Sequence, residues 1–224
     1  ETVSDSFAVT VANVAPTAVV SGADAVDEGG SYVLTVGAVA DPGADTRDSY
    51  SIAWGDGQSS SFTAAQWAAA NGSFSHTYAD GGATPTIVVS ATDEDGTFVL
   101  GSKAVTVNNV APTLSMSGNA SSNEGATYVL AIAASDAAGD ADPLSYSIDW
   151  GDGSAAQVLS AAQLQALGGN VTHVFADDQD GPVNSTPRTV SVTVTDGDGG
   201  STSRTQVIDV LNVAPAIALA GAGS

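Results

Sequence analysis

The chain repeats itself at domain-length intervals. Asn13-Val14-Ala15-Pro16-Thr17 returns as Asn109-Val110-Ala111-Pro112-Thr113, and again as Asn212-Val213-Ala214-Pro215. Between the copies, Glu28-Gly29 returns as Glu124-Gly125 and Trp54-Gly55-Asp56-Gly57 as Trp150-Gly151-Asp152-Gly153. His76-Thr77-Tyr78 returns as His173-Val174-Phe175. The starts lie 96 and 103 residues apart. Self-similarity at a set interval marks an array of like units, and units of this size can each bury a core. The chain therefore divides into repeat 1, residues 13–108, and repeat 2, residues 109–211. Residues 1–12 read as the last strand of a preceding repeat, because Phe7-Ala8-Val9-Thr10-Val11 stands before its Asn as Ala104-Val105-Thr106-Val107 does. Residues 212–224 read as the start of a following one. Such an array works by length, stiffness and surface more than by one active site.

Within each repeat the apolar residues alternate. Tyr32, Leu34 and Val36 share one face, as do Tyr128, Leu130 and Ile132. Tyr50, Ile52 and Trp54 match Tyr146, Ile148 and Trp150; Ile87, Val89 and Ala91 match Val190, Val192 and Val194. Short alternating runs separated by Gly, Asp, Asn and Pro clusters predict antiparallel sandwiches with one dry face per sheet. One segment breaks the pattern. Thr63-Ala64-Ala65-Gln66 and Ser160-Ala161-Ala162-Gln163 are capping boxes followed by helix formers, and Asn71-Gly72 and Gly168-Gly169 end them. The fold class is all-β: tandem antiparallel sandwiches with one short helix per repeat, Trp67 or Leu164 packing on the sandwich edge.

Trp-Gly-Asp-Gly after an alternating strand, Glu-Gly before a Tyr-Val-Leu strand, and Thr-Asp-x-Asp-Gly between the last two strands resemble PKD-type Ig-like repeats. Such repeats occur in large bacterial adhesins and secreted hydrolases. The resemblance covers both repeats and implies the fold; it implies no particular binding activity. The usual Trp-x-Phe-Gly-Asp-Gly is shortened here, and the helix is an addition. The Gly-Asp-Gly suits a hairpin turn, with Asp56 or Asp152 capping backbone amides.

The charge narrows the partners. Twenty-five acidic residues face 4 basic ones, giving −21, and the excess is spread through both repeats. That surface repels nucleic acid and anionic lipid and attracts divalent cations; plain solubility or salt adaptation is the alternative reading. There is no cysteine, and no apolar run approaches the ~18 residues of a membrane span. Membrane insertion and nucleic-acid binding are not expected. The composition suits an exported bacterial protein at the cell surface.

Strand direction predicts where the acids meet. The first turn, with Glu28, lies at one pole beside Asn108 and Asn109. The second loop, with Asp41, Asp45 and Asp48, lies at the other with Asp93-Glu94-Asp95. In repeat 2 the latter pole holds Asp136, Asp140, Asp142, Asp196 and Asp198. End-to-end stacking would bring Glu28, Asn108 and Asn109 to that cluster, with no Lys or Arg nearby in sequence; Asn13 is the equivalent linker residue for repeat 1. Like charges at such density are costly without a cation. Ca²⁺, with 6–8 oxygen ligands in irregular geometry, fits best. Asx-turns in solvated loops are the alternative. Asp177-Asp178-Gln179-Asp180-Gly181 is read as a loop, since an EF-hand counted from Asp178 has Thr189 at the position of its bidentate Glu.

No enzymatic activity is expected. His76 and His173 recur beside aromatic residues with no cysteine and no Gly-x-Ser-x-Gly, and read as core-edge histidines. A Lys–Asn cross-link needs a lysine, and Lys103 is the only one. The expected function is a spacer or stalk in a large secreted or surface protein, an adhesin, stiffened by Ca²⁺ at the repeat junctions, with adjacent repeats as partners. The alternative is an accessory module holding polysaccharide or protein; against it stands an aromatic content of 6%, mostly on inward faces.

Overall fold

The computed structural model describes residues 4–10, 12–42, 46–177 and 184–214. The chain separates into two compact units, Glu1–Asn109 and Val110–Ser224. Asp45, residues 1–3 and 215–224, and Asp178–Gly181 of the loop described above lie outside the described residues.

Unit 1 runs β1 (Val20–Gly22), β2 (Ala25–Asp27), β3 (Ser31–Val36), β4 (Ser49–Ala53), β5 (Ser59–Thr63), α1 (Ala64–Ala70), β6 (Ser73–Thr77), β7 (Thr86–Asp93), β8 (Gly96–Ala104) and β9 (Thr106–Asn108). One sheet has the order β1-β3-β6, the other β5-β4-β7-β8, and β2 pairs with β9. Unit 2 runs β10 (Thr113–Gly118), β11 (Ser121–Asn123), β12 (Thr127–Ser135), β13 (Ser145–Asp149), β14 (Gln157–Ser160), α2 (Ala161–Ala166), β15 (Asn170–Val174), β16 (Ser185–Thr195) and β17 (Ser201–Leu211). Its sheets are β10-β12-β15 and β11-β17-β16-β13-β14. The fold is all-β with a short helix in each unit.

The alternating residues face inward. Tyr32, Leu34 and Val36 of β3 meet Ile52, Trp54, Ile87 and Val89 of the other sheet in one buried cluster. Unit 2 repeats this with Tyr128, Leu130, Ile132, Ile148, Trp150, Val190 and Val192. Trp54 and Trp150 are 1% and 2% exposed. Each tryptophan is among the largest buried side chains of its unit, so each contributes several kcal/mol of apolar burial.

Both helices carry the expected reciprocal caps. The Thr63 side chain accepts from Gln66 N while Gln66 Oε1 accepts from Thr63 N, and Ser160 and Gln163 do the same. Asn71 closes α1 in the left-handed region at φ 49°. Trp67 packs partly buried against its core and Leu164 is buried.

The sheets are not purely antiparallel. The first strand of each unit is split: β1 and β10 pair antiparallel with β3 and β12, whereas β2 and β11 pair parallel with β9 and β17. The chain crosses between sheets at Ala23-Asp24 and Asn119-Ala120. Tyr32 and Tyr128 hold the crossing by donating to Ala23 O and Asn119 O, each at 3.1 Å. Gly22 and Gly118 permit it, since a Cβ at either would overlap the tyrosine hydroxyl.

Candidate functional site

Acidic side chains collect at the ends of each unit. At one end of unit 1, β2 runs into the turn carrying Glu28. Glu28 N donates to Asn108 O at 3.0 Å, and Asn108 Nδ2 donates to Asp27 Oδ1 at 3.0 Å. Glu28 is 2% exposed. The β3–β6 register sets Ser31 opposite Thr77, which delivers the following loop to the same end. There Asp80 brings a carboxylate oxygen within 4.8 Å of one of Glu28. A Cβ on Gly81 would strike Asn109 and the Glu28 carboxylate, so only glycine lets this loop close. Asp80 is absent from the sequence-derived set. Antiparallel pairing of the Tyr32 and His76 segments was the signal that would have found it. Asn13 is exposed, ahead of β1.

At the other end of unit 1, Asp93 is 6% exposed, and its Oδ1 accepts from Asp95 N and Gly96 N. Its Oδ2 is buried without a hydrogen-bond partner. Asp95 is exposed in the same turn. Glu94 Oε2 accepts from Thr46 N at 3.2 Å, joining the two loops. Asp41 differs from expectation: its Oδ2 is paired with Arg47 Nη1 at 3.1 Å, with its side chain 4% exposed. A guanidinium six residues away neutralises it, which makes it a poor cation ligand.

At the corresponding end of unit 2, Pro143 stands where unit 1 has Arg47. Asp142 is 1% exposed and Asp196 is 6% exposed. Gly197 N donates to Asp142 Oδ1, and Gly200 N donates to Asp196 Oδ1 at 2.7 Å. Asp142 and Asp198 bring carboxylate oxygens within 4.8 Å of one another. Asp136 Oδ1 accepts from Ala138 N at 2.9 Å, while Asp136 Oδ2 and Asp142 Oδ2 are buried without hydrogen-bond partners. Burial pushes the Asp142 carboxyl upward and the charges of Asp196, Asp198 and Asp136 add to it, against the opposing Gly197 amide. Buried acceptors without donors are costly. An all-oxygen donor set with unsatisfied carboxylates suits a hard divalent cation. Asp140 is exposed on the three-ten turn Gly139–Ala141 and lines a neighbouring groove.

A second constellation recurs in both cores. His76 stacks on Trp54 and His173 on Trp150, each at 4.6 Å. Each Nε2 meets Asp56 or Asp152 Oδ2 at 2.7 Å. The other carboxylate oxygen caps its turn, accepting from Gln58 N or Ser154 N at 2.9 Å. Each aspartate thus ties its turn to a strand about 20 residues on, beyond the turn-capping role read from Gly-Asp-Gly. Burial raises the Asp152 carboxyl, but hydrogen bonds from Ser154 and His173 outweigh it and hold it at about 2. Trp67 has three aromatic neighbours, Tyr50 stacked at 4.3 Å, Phe74 tilted at 4.4 Å and Phe62 edge-on at 5.9 Å. Among the described residues, no helix is long and apolar enough to cross a membrane.

The family model of the PKD domain matches residues 109–211. No curated protein matches the chain. The chain is similar to the PKD1 domain of Vibrio anguillarum Epp, at 20% identity over 47% of this chain and 100% of that one, TM-score 0.32. It is also similar to the Yersinia pseudotuberculosis adhesin InvE, at 13% identity over 86% of this chain and 58% of that one, TM-score 0.35. A third likeness is to carbohydrate-binding modules of the β-sandwich superfamily, at 11% identity over 90% and 94%, TM-score 0.33. Structural likenesses at this level carry no argument about function. The family match over 109–211, with the same order of elements in both units, gives the chain a PKD-type Ig-like fold.

Proposed function

We propose that the two units are non-catalytic spacers in a large secreted or surface-attached bacterial protein, an adhesin stalk, and that Ca²⁺ at the repeat junctions stiffens the array. The observation that carries this reading is the end of unit 2, where Asp142 and Asp136 each hold a buried carboxylate oxygen without a donor. A cation held by Asp142, Asp196, Asp198 and Asp136 satisfies those oxygens and removes the repulsion that raises Asp142. In this proposal Glu28, Asn108 and Asn109 supply further oxygens from the preceding repeat, and Asp80 joins them. Mg²⁺ suits such a set less well, because it demands near-octahedral geometry and keeps its water.

The alternative, an accessory polysaccharide-binding module, needs a flat aromatic face open to solvent. Trp67 would be the candidate, but Tyr50 and Phe74 already cover its ring. X-ray scattering and thermal melting of the chain with Ca²⁺ and with chelator test the spacer reading. Ca²⁺ should lengthen the maximum dimension and raise the melting temperature; at a hundredfold excess over Kd the stabilisation is about 2.7 kcal/mol. Asp142→Ala should abolish the response and Asp149→Ala, at the end of β13, should leave it. If chelator changes neither quantity, the calcium reading fails.

A further inference from the structure

The two units differ at the pole where their last strands finish. In unit 1, buried Pro85 stands just before β7, and its carbonyl accepts from Val105 N at 3.1 Å. In unit 2 the matching pair is Arg188 and Ile208, so Arg188 takes the place of the proline. Arg188 lies on the side of β16 that carries buried Val190, Val192 and Val194, and is itself half-buried. Its Nε is buried without a hydrogen-bond partner. No ion pair among the described residues includes it. A buried donor left in that state is costly.

Two features say what meets it. The first is the linker. Val210 pairs with Thr186 on one side and Ser122 on the other, so Arg188 and Glu124, each two residues further on, belong to the same pole. There Glu124 N donates to Leu211 O at 3.0 Å, and Glu124 Oε1 accepts from Val213 N at 2.7 Å. These bonds hold Asn212-Val213-Ala214 to the pole, so whatever that segment carries is delivered to it. The second feature is the opposite pole of the same unit, where Asp136 Oδ2 and Asp142 Oδ2 are buried acceptors without donors. Unit 2 thus has an unmatched donor at one end and unmatched acceptors at the other. Such ends complete one another when like units stack head to tail.

We propose that the Arg188 end of unit 2 docks the aspartate loops of a like repeat, its guanidinium taking the part that Ca²⁺ plays at the Glu28 end. This rests on the reading of the units as stacked spacers. A guanidinium meets two carboxylate oxygens at once in a fixed plane. Its charge also disfavours a divalent cation in the same joint. At the Glu28 end the equivalent residue is uncharged Pro85, so the acids there need the metal.

The test extends the full chain with a second copy of residues 109–211 placed after Leu211, giving two joints in one molecule. The chain has no cysteine, so Val33→Cys with Val129→Cys labels the first joint. Val129→Cys with its counterpart in the added copy labels the second; both valines are exposed. Spin-label distances are read in chelator and in Ca²⁺. In chelator the second joint should give a narrow distribution that broadens in high salt. The first should be broad and should narrow only with Ca²⁺. Arg188→Gln should broaden the second joint in chelator and make it depend on Ca²⁺, and Arg188→Pro, which copies unit 1, should do the same. Near-UV dichroism of the buried tryptophans confirms that each variant is folded. A second joint that is broad in chelator overturns the proposal, as does one that folded Arg188→Gln leaves narrow. A first joint that ignores Ca²⁺ overturns the calcium reading alone.

Discussion

The loops that join β3 to β4 and β12 to β13 are the same length and settle their charge in opposite ways. In unit 1, Thr46 donates its amide to Glu94, an acid on the facing loop. In unit 2 the acid has changed sides: Gly197, at the position of Glu94, donates to Asp142, at the position of Thr46. The bridge between loops is kept, yet its surroundings diverge. Arg47 closes unit 1 against Asp41 and leaves Asp93 Oδ2 as its buried oxygen without a hydrogen-bond partner, whereas unit 2 has Pro143 there and two such oxygens, on Asp136 and Asp142. The sandwich thus tolerates two electrostatic solutions on one frame. The frame is set by apolar alternation and the core tryptophans, and the ends are free to specialise.

The largest effect tests whether the frame is in fact shared. Trp54 and Trp150 are equally buried, and each stacks on a histidine at the same distance. Trp54→Ala and Trp150→Ala should each destabilise their unit by about 3–5 kcal/mol, read by urea unfolding. Costs that differ by more than about 2 kcal/mol would show that the cores differ as much as the ends.

The frame was legible in the sequence because it rests on periodicity and local chemistry. Tyr32-Leu34-Val36 reads as a strand wherever it is found, and Thr63-x-x-Gln66 carries its cap within four residues. The split first strand was not legible. β2 and β11 are three residues each, too short for any period, and their parallel partners lie some 80 residues away. The charged ends were half legible. Strand direction locates Asp142 with Asp196 and Glu28 with Asn108, since both follow from counting strands. It does not reveal that Arg47 folds back onto Asp41, because a loop's path is set by tertiary contacts. The Asp56–His76 pair was hidden for the same reason: the turn chemistry of Gly-Asp-Gly explains one carboxylate oxygen and is silent on the other.

A middling effect probes that pair. Asp152 is held at about 2, below its ordinary 3.8. A group depressed in the folded state stabilises fully above its unfolded pKa and loses that contribution as pH falls through the folded one. Unit 2 should therefore lose about 1–2 kcal/mol between pH 4 and pH 2 through this group. Asp56 is also depressed, by burial outweighed by bonds from His76 and Gln58, so unit 1 should follow in the same direction. Asp152→Asn should flatten the acid limb of unit 2 in a pH series of melting temperatures. An unchanged slope would show that the His173 contact contributes nothing to folding.

The smallest effect bears most directly on the two ends. Asp142 sits among Asp136, Asp196 and Asp198, whose charges add to burial in disfavouring its ionised form. Asparagine keeps its Oδ1 acceptor for Gly197 N and removes the charge. In chelator, Asp142→Asn should therefore leave unit 2 slightly more stable, because burial and the neighbouring aspartates both disfavour the charge it removes. In Ca²⁺ the order should reverse, since the wild type gains a cation that the variant cannot hold. Thr46→Asp provides the mirror experiment. It sets a carboxylate against Glu94 beside the Arg47 pair, and should destabilise unit 1 in both conditions without conferring a calcium response. A Ca²⁺ response from Thr46→Asp would mean that Arg47 does not close that end, and the contrast between the units would collapse to one substituted residue.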